Sequence, residues 1–259
     1  MKNKLSKTLS ISLASVALLS NFAYADSWNT TTNDLSNKTE LSENAISSKA
    51  TSSPVSFSGS GKNYKGYTNS YISAGRAYGE SIVESKSGFV PTGYMGAHVN
   101  LYNDKGVVVA PGSWFYNPNS VSLKITNLVS TSQKGTFHAR GTGRAYNGNT
   151  YNSKRLNNSP NVILRDLNIS IPNEELKERE YLYETKNMIP ALGDSNVEGY
   201  VIESELYDLE NQPNNPEEAI AYMNKMARIK QRSIPLYAND GETIIDQLTI
   251  NCQPQGFAE

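Results

Sequence analysis

His98 and His138 are the only imidazoles in 259 residues, so any acid–base chemistry built on histidine has to use one of them. A nucleophilic triad would need that histidine beside an activated serine and a carboxylate. The chain contains no G-x-S-x-G elbow, no H-E-x-x-H pair and no phosphate-cradling glycine loop. Glu80 and Glu84 share a strand face and come nearest to the paired carboxylates of a glycoside hydrolase, but nothing around them signals a substrate cleft. Asn239-Asp240-Gly241 lacks the further oxygen ligands of a calcium loop and reads as a turn. Cys252, the single cysteine, has no partner for an internal disulfide and reads as a spectator thiol near a frayed end. Together these features argue against an enzyme, and imply no catalytic residues, no metal and no cofactor.

Binding chemistry is better represented. From 94 to 102 the residues alternate, with Met95, Ala97, Val99 and Leu101 on one side and Tyr94, His98, Asn100 and Tyr102 on the other. Period two is the mark of a half-buried strand, so the first set is expected in the core and the second in water. Tyr94, His98, Asn100 and Tyr102, with Arg140 and Arg144, are therefore the candidate ligand-contact face. Nine tyrosines between 64 and 151, with Trp114, can in principle stack on sugars, although tyrosine also suits strands because its ring packs while its hydroxyl stays wet.

The elements that must position this face follow from turn spacing. Between 56 and 160, Gly, Ser, Asn and Tyr dominate and turn signals recur about every ten residues, which predicts an antiparallel β-sandwich, immunoglobulin-like or similar. Strands are expected near 69–77, 81–85, 94–102, 107–110, 113–116, 121–126 and 135–146, with Asn103-Asp104-Lys105-Gly106 as a tight reversal. Two identical tetrapeptides, Gly75-Arg76-Ala77-Tyr78 and Gly143-Arg144-Ala145-Tyr146, each read as the end of a strand; two copies are too few for a repeat architecture. Beyond 160 a small α+β extension is expected: a polar helix over 171–186 with Asn173 as its cap, a helix over 215–230, and a hairpin over 233–250. The second helix opens with Asn215 as cap, Pro216 in the first position and Glu217 and Glu218 in the first turn, followed by Ala219, Ile220, Met223, Met226 and Ala227 at helical spacing.

Charge divides the chain at the same place. Residues 54–160 carry eleven basic and three acidic side chains, a net of +8, whereas 161–259 carry eight basic and eighteen acidic ones, a net of −10. A basic, tyrosine-rich surface attracts anionic polymer, such as the teichoic acid of a cell wall, or an acidic membrane surface. The opposed halves can also simply offset each other within the molecule. Nucleic acid fits the same electrostatics, but the N-terminus points outside the cell. Lys2, Lys4 and Lys7 precede a short apolar core at 9–19, and Ala23-Tyr24-Ala25 forms a cleavage site, so 1–25 reads as a secretory signal peptide. The apolar core is too short to span a membrane. The mature chain is expected outside the cell with no transmembrane segment, no nucleic-acid partner, and a disordered spacer over 26–55.

The runs VPTGYMGAHVNLYNDKGVVV, SWFYN and GTGRAYNGNTYN, closed by Ser159-Pro160, resemble a β-domain of small secreted proteins from Gram-positive bacteria, Bacillus relatives among them. That resemblance implies secretion and a β-rich fold but carries no established activity. A more distant likeness to the lactococcin 972 bacteriocins, small secreted β-sandwich proteins acting on cell-wall synthesis, implies an antibacterial or toxin-like alternative. GYVIESEL, NPEEAIAYM and IPLYANDGETII resemble a C-terminal segment of secreted Gram-positive proteins. Ala238 and Asp246 stand where that pattern has Asp and Gly, which implies a different course for the last strand.

Overall fold

A computed structural model describes residues 49–164, 173–253 and 256–259. The expected signal peptide, the spacer up to residue 48 and the first two residues of the 171–186 helix lie outside the described residues. The described chain is mainly β. Its strands are β1 (Ala50–Thr51), β2 (Val55–Gly59), β3 (Lys62–Ser73), β4 (Arg76–Ser85), β5 (Met95–Asn103), β6 (Val108–Pro111), β7 (Phe115–Tyr116) and β8 (Lys124–Thr131). They continue with β9 (Gly135–Tyr146), β10 (Tyr151–Arg155), β11 (Val162–Leu164), β12 (Met188–Leu192), β13 (Glu198–Ile202), β14 (Gln231–Tyr237), β15 (Ile244–Asn251) and β16 (Phe257–Ala258). The α-helices are α1 (Asn173–Lys186), α2 (Glu203–Leu206) and α3 (Pro216–Ile229), and a 3-10 turn covers Leu209–Asn211.

The strands form two sheets. The smaller runs β1-β3-β4-β8-β16 with β2 also on β3, and the larger runs β10-β9-β5-β6-β12-β13-β14-β15 with β11 on β9 and β7 on β5. Every pairing is antiparallel except β12 with β6, where Ala191 faces Val108. That parallel contact carries the larger sheet from the basic segment into the acidic one without a break.

Several expected boundaries move. The strand expected over 69–77 is two strands, because Ala74 and Gly75 both adopt positive φ, 46° and 68°, and Ser73 pairs with Arg76. Consecutive left-handed residues are the two-residue reversal that matches strand twist, and the glycine makes it accessible. The first Gly-Arg-Ala-Tyr therefore turns into β4, while the second ends β9 as expected. Residues 49–55 of the expected spacer are ordered, with Ala50 opposite Ser70 and Val55 opposite Gly66.

Met95, Ala97, Val99 and Leu101 are all fully buried, as the alternation requires. Val99 and Leu101 pack with Ala77, Val129, Phe137 and Ala139 between the sheets. Met95 and Ala97 join a second cluster with Tyr64, Val83 and Ile125 that is closed by Ala219, Tyr222, Met223 and Met226 of α3. Burial of each large apolar side chain contributes roughly 1.5–3 kcal/mol. A third cluster, around Val108, Ala191, Val201, Leu236 and Ile250, lies in the C-terminal half of the larger sheet.

α3 starts as its sequence dictates. Asn215 accepts from the Glu218 N–H at 2.9 Å and donates to the Glu218 carboxylate at 2.8 Å, a reciprocal cap with Pro216 in the first position. The hairpin β14–β15 also forms, and Asp240 closes its loop by accepting from the N–H groups of Glu242 and Thr243. Leu236 pairs with Asp246 but Tyr237 pairs with Ile244, so Ile245 forms a bulge at the start of β15.

Candidate functional site

The face expected to be wet exists as one side of β5 and β9, but much of it is covered. His98, Asn100 and Tyr102 are 2%, 1% and 3% exposed, against the expectation of a solvent face. β5 is a central strand of the larger sheet and loses water on both sides. The apolar side faces the smaller sheet, and the polar side is roofed by residues that follow it in the chain. The His98 ring lies 5.2 Å from Trp114 and 4.9 Å from Tyr207, and its Nε2 bonds the Gly112 carbonyl at 2.9 Å. Asn100 accepts from the Gly112 N–H at 3.0 Å. The backbone at Gly112 satisfies His98 Nε2 and the Asn100 side-chain oxygen, while Asn100 Nδ2 has no partner among the described residues. Burial pushes the His98 pKa down to about 3, so its imidazole is neutral. Tyr94 is half-buried and packs edge-on against Tyr146 at 5.2 Å, away from the others.

Toward β9 and β10 the same face opens into a cleft of about 780 Å³. Tyr102, Arg140 and Arg144 line it, as do Thr142, Trp114 and Arg155. The opposite wall comes from the C-terminal segment, through Tyr183 of α1, Pro190 of β12, Glu203 of α2, Tyr207 and Leu209. The face read from the sequence thus contributes three of its six residues to a cleft, buries His98 and Asn100 beside it, and leaves Tyr94 apart.

Strand register sets the floor. Arg140, Thr142 and Arg144 alternate along β9, and on β10 Ser153 stands opposite Arg144 and Arg155 opposite Thr142. The Arg140 guanidinium carbon lies 4.2 Å from the Tyr102 ring centre, and its Nε–H donates to His138 Nε2 at 3.1 Å. His138 can accept because burial, with Arg140 beside it, lowers its pKa to about 4 and keeps the ring neutral. The Arg144 guanidinium carbon lies 4.1 Å from the Trp114 ring, its Nε–H donates to Ser153 at 2.9 Å, and its Nη1 donates to the Tyr116 hydroxyl at 2.9 Å and to Gln212. Cation–π stacking and fixed hydrogen bonds hold both forks in place before any ligand arrives.

The charges are not balanced locally. Arg179 and Lys105 at the rim share Glu198, at 3.2 Å and 3.6 Å. Among the described residues, Arg140, Arg144 and Arg155 make no ion pair with a carboxylate, and Glu203 is the one acid in the lining. The Tyr207 phenol is held well above its usual pKa, first by burial and then by Tyr102, so it adds no negative charge.

The remaining chemical candidates lie elsewhere. Glu80 bonds Lys49 at 3.0 Å and Asn69 at 2.9 Å, while Glu84 pairs with Lys65 at 2.8 Å and Lys86 at 3.3 Å. Each carboxylate has its own cations, and four residues along a strand place them about 13 Å apart, too far to work on one bond. Arg76 of the first tetrapeptide is tied to Ser130 at 3.1 Å and lines a different cavity, of about 500 Å³. Cys252 is fully buried rather than frayed, and its N–H donates to the Lys230 carbonyl at 2.8 Å. Arg155, Tyr183, Tyr207 and Gln212 are cleft or bracing residues that sequence reasoning did not select. The basic count included Arg155, but nothing local set it apart. The chain matches no protein-family model, no curated protein and no solved structure.

Proposed function

We propose that this is a secreted, non-enzymatic binding module that holds an anionic polymer of the bacterial cell envelope in the β9–β10 cleft. The observation that carries this reading is the convergence of Arg140, Arg144 and Arg155 on one aromatic-walled cleft with no carboxylate partner among the described residues. Arg140 and Arg144 are partly desolvated, which is costly without a counter-charge, and an anion that completes them recovers charge-assisted hydrogen bonds of about 1.5–3 kcal/mol each. Support for the location comes from the leader-like residues 1–25. The resemblance to secreted Gram-positive β-domains agrees with it. On this reading the two sheets are a β-sandwich, the acidic α+β segment is its extension, and that extension supplies the second wall of the cleft.

The test is sedimentation of the purified protein with cell walls, intact or stripped of their anionic polymers, across a salt series. Binding should require the polymers, fall steeply with ionic strength, and drop about tenfold in the Arg140→Ala, Arg155→Ala double variant. Retention that ignores both stripping and salt would sink the reading.

A further inference from the structure

We propose that Lys49 and Asn69 join through an intramolecular isopeptide bond, with Glu80 moving the protons. This site is on the smaller sheet, away from the cleft, and it modifies itself once instead of turning over a substrate. The binding reading stands or falls without it.

Strand register brings the three residues together. Asn69 of β3 stands opposite Thr51 of β1 on one side and opposite Glu80 of β4 on the other. Lys49 lies two residues before Thr51 and therefore on the same face, diagonal to Asn69; such neighbours are about 7–8 Å apart, within reach of a lysine. Ser70, the next residue of β3, accepts from the Ala139 N–H of β9 at 3.1 Å, so Asn69 faces away from the larger sheet. The Lys49 side chain crosses β3. Its Nζ lies 4.8 Å from the Tyr71 ring centre and ends on the Glu80 carboxylate, 3.0 Å from Oε1 and 3.1 Å from Oε2. Asn69 Nδ2 donates to that same Oε2 at 2.9 Å. One carboxylate oxygen thus holds both an amine and the nitrogen of a side-chain amide.

The surroundings suit a reaction better than a plain ion pair. Asn69 and Glu80 are 6% and 4% exposed. Burial, followed by the Glu80 charge, holds the Tyr71 phenol beside them well above its usual pKa, a sign of poor hydration on this face. Neutralising a buried carboxylate accounts for Lys49. It does not account for the buried Asn69 Oδ1, which has no partner among the described residues. The amide is set for its nitrogen, which faces the group that can carry a proton to it.

The steps follow from these contacts. Glu80 takes a proton from Lys49 Nζ, and the freed amine attacks Asn69 Cγ. The Nζ–Cγ bond forms and the Cγ–Nδ2 bond breaks as Glu80 passes protons to Nδ2. Of the three Nζ protons, one stays on the new amide and two leave with Nδ2 as ammonium, so atoms and charge balance without oxidant or cofactor. Holding amine and amide on one oxygen replaces a bimolecular encounter, which is what an otherwise inert amide requires. The half-exposed Lys49 gives the ammonium a path to water. The product fastens β1, which pairs with β3 through only two residues, to the sheet.

The mass of the intact mature chain tests this directly. It should fall one ammonia, about 17 Da, below the value calculated from the sequence. Trypsin should fail to cut after Lys49, and residues 39–62 should appear joined to 66–76 as one branched fragment. That branch distinguishes the bond from a cyclic imide, which loses the same mass within a single peptide. Glu80→Gln, nearly identical in shape, should restore the full mass, as should Lys49→Arg and Asn69→Ala. All three should melt several degrees below the parent, since a covalent tie across the loop is lost. A parent chain that keeps its full calculated mass after prolonged incubation would overturn the proposal whatever the variants do. A branched fragment that persists in Glu80→Gln would overturn the role given to Glu80.

Discussion

Arg144 is fixed by a ring beneath it, a hydroxyl on each side and an amide from a segment nearly seventy residues further along the chain. Its removal therefore has two consequences. Arg144→Ala leaves the buried Tyr116 hydroxyl without its partner, which costs about 1–3 kcal/mol. Arg144→Lys keeps the charge but loses the planar stack on Trp114 and the fork, so it should recover solubility and not affinity. Urea unfolding and ligand titration of the two variants separate these effects, and full affinity in the lysine variant would contradict the role given to the fork. His98 gives a pH signature. Its folded pKa, about 3, lies below its ordinary value of 6.5, so the unfolded chain takes up the proton first. Stability is then fully present above pH 6.5 and is lost as pH falls toward 3, by up to about 1.4 kcal/mol per unit from this one group. Urea midpoints at pH 7, 6 and 5 should decline in the parent and flatten in His98→Gln, with any residual slope attributable to His138. A parent midpoint that is flat from pH 7 to 5 would refute the burial argument. The alternation of 94–102 correctly placed His98 opposite Val99. It wrongly put that side in water, because the Tyr207 ring that covers His98 lies more than a hundred residues away in sequence.

Among the elements, α3 and β9 were the most legible, each for a local reason. α3 announces itself through Asn215, Pro216 and Glu218, all within its first turn. Asn215→Ala should cost about 1 kcal/mol, read as a lower urea midpoint with an unchanged slope, since only the cap is lost. No change in midpoint would mean that the packing of Met223 and Met226 alone holds the helix start. β9 alternates strictly from Thr136 to Tyr146, and its expected bounds match the observed ones. The turn between β3 and β4 was hidden inside an expected strand over 69–77 because a two-residue reversal at Ala74-Gly75 takes so little sequence that no cluster of turn residues marks it. β10, which supplies Arg155, went unread because four of its five residues are exposed and it has no apolar face to follow. The cleft was half visible for the same reason: its floor alternates along a strand, whereas its far wall is assembled from α1, β12 and the loop after α2.

In the whole molecule, the net +8 of residues 54–160 meets the net −10 of 161–259 at a few defined places, such as Lys105 with Glu198 and Lys124 with Glu259. Neutralisation is therefore incomplete, and among the described residues Arg140, Arg144 and Arg155 of the cleft are some of the cations it leaves unpaired. The two segments also share one sheet and one core, since α3 closes the cluster around Met95 and Tyr116. A chain ending at residue 160 should consequently fail to fold cooperatively, because His98, Trp114 and Tyr116 would lose their cover. Broad amide resonances and dye binding to exposed apolar surface are the expected signs, and a sharp, fully dispersed spectrum would show that the first segment stands alone.

Cys252 lies at the end of β15 with no exposed surface, and burial raises its thiol above the usual pKa. An alkylating reagent meets neither a reachable sulfur nor an appreciable thiolate fraction until that edge of the larger sheet opens. The chain thus carries one built-in clock: the labelling rate of a single native atom times the opening motions of its last long hairpin, with no engineered probe.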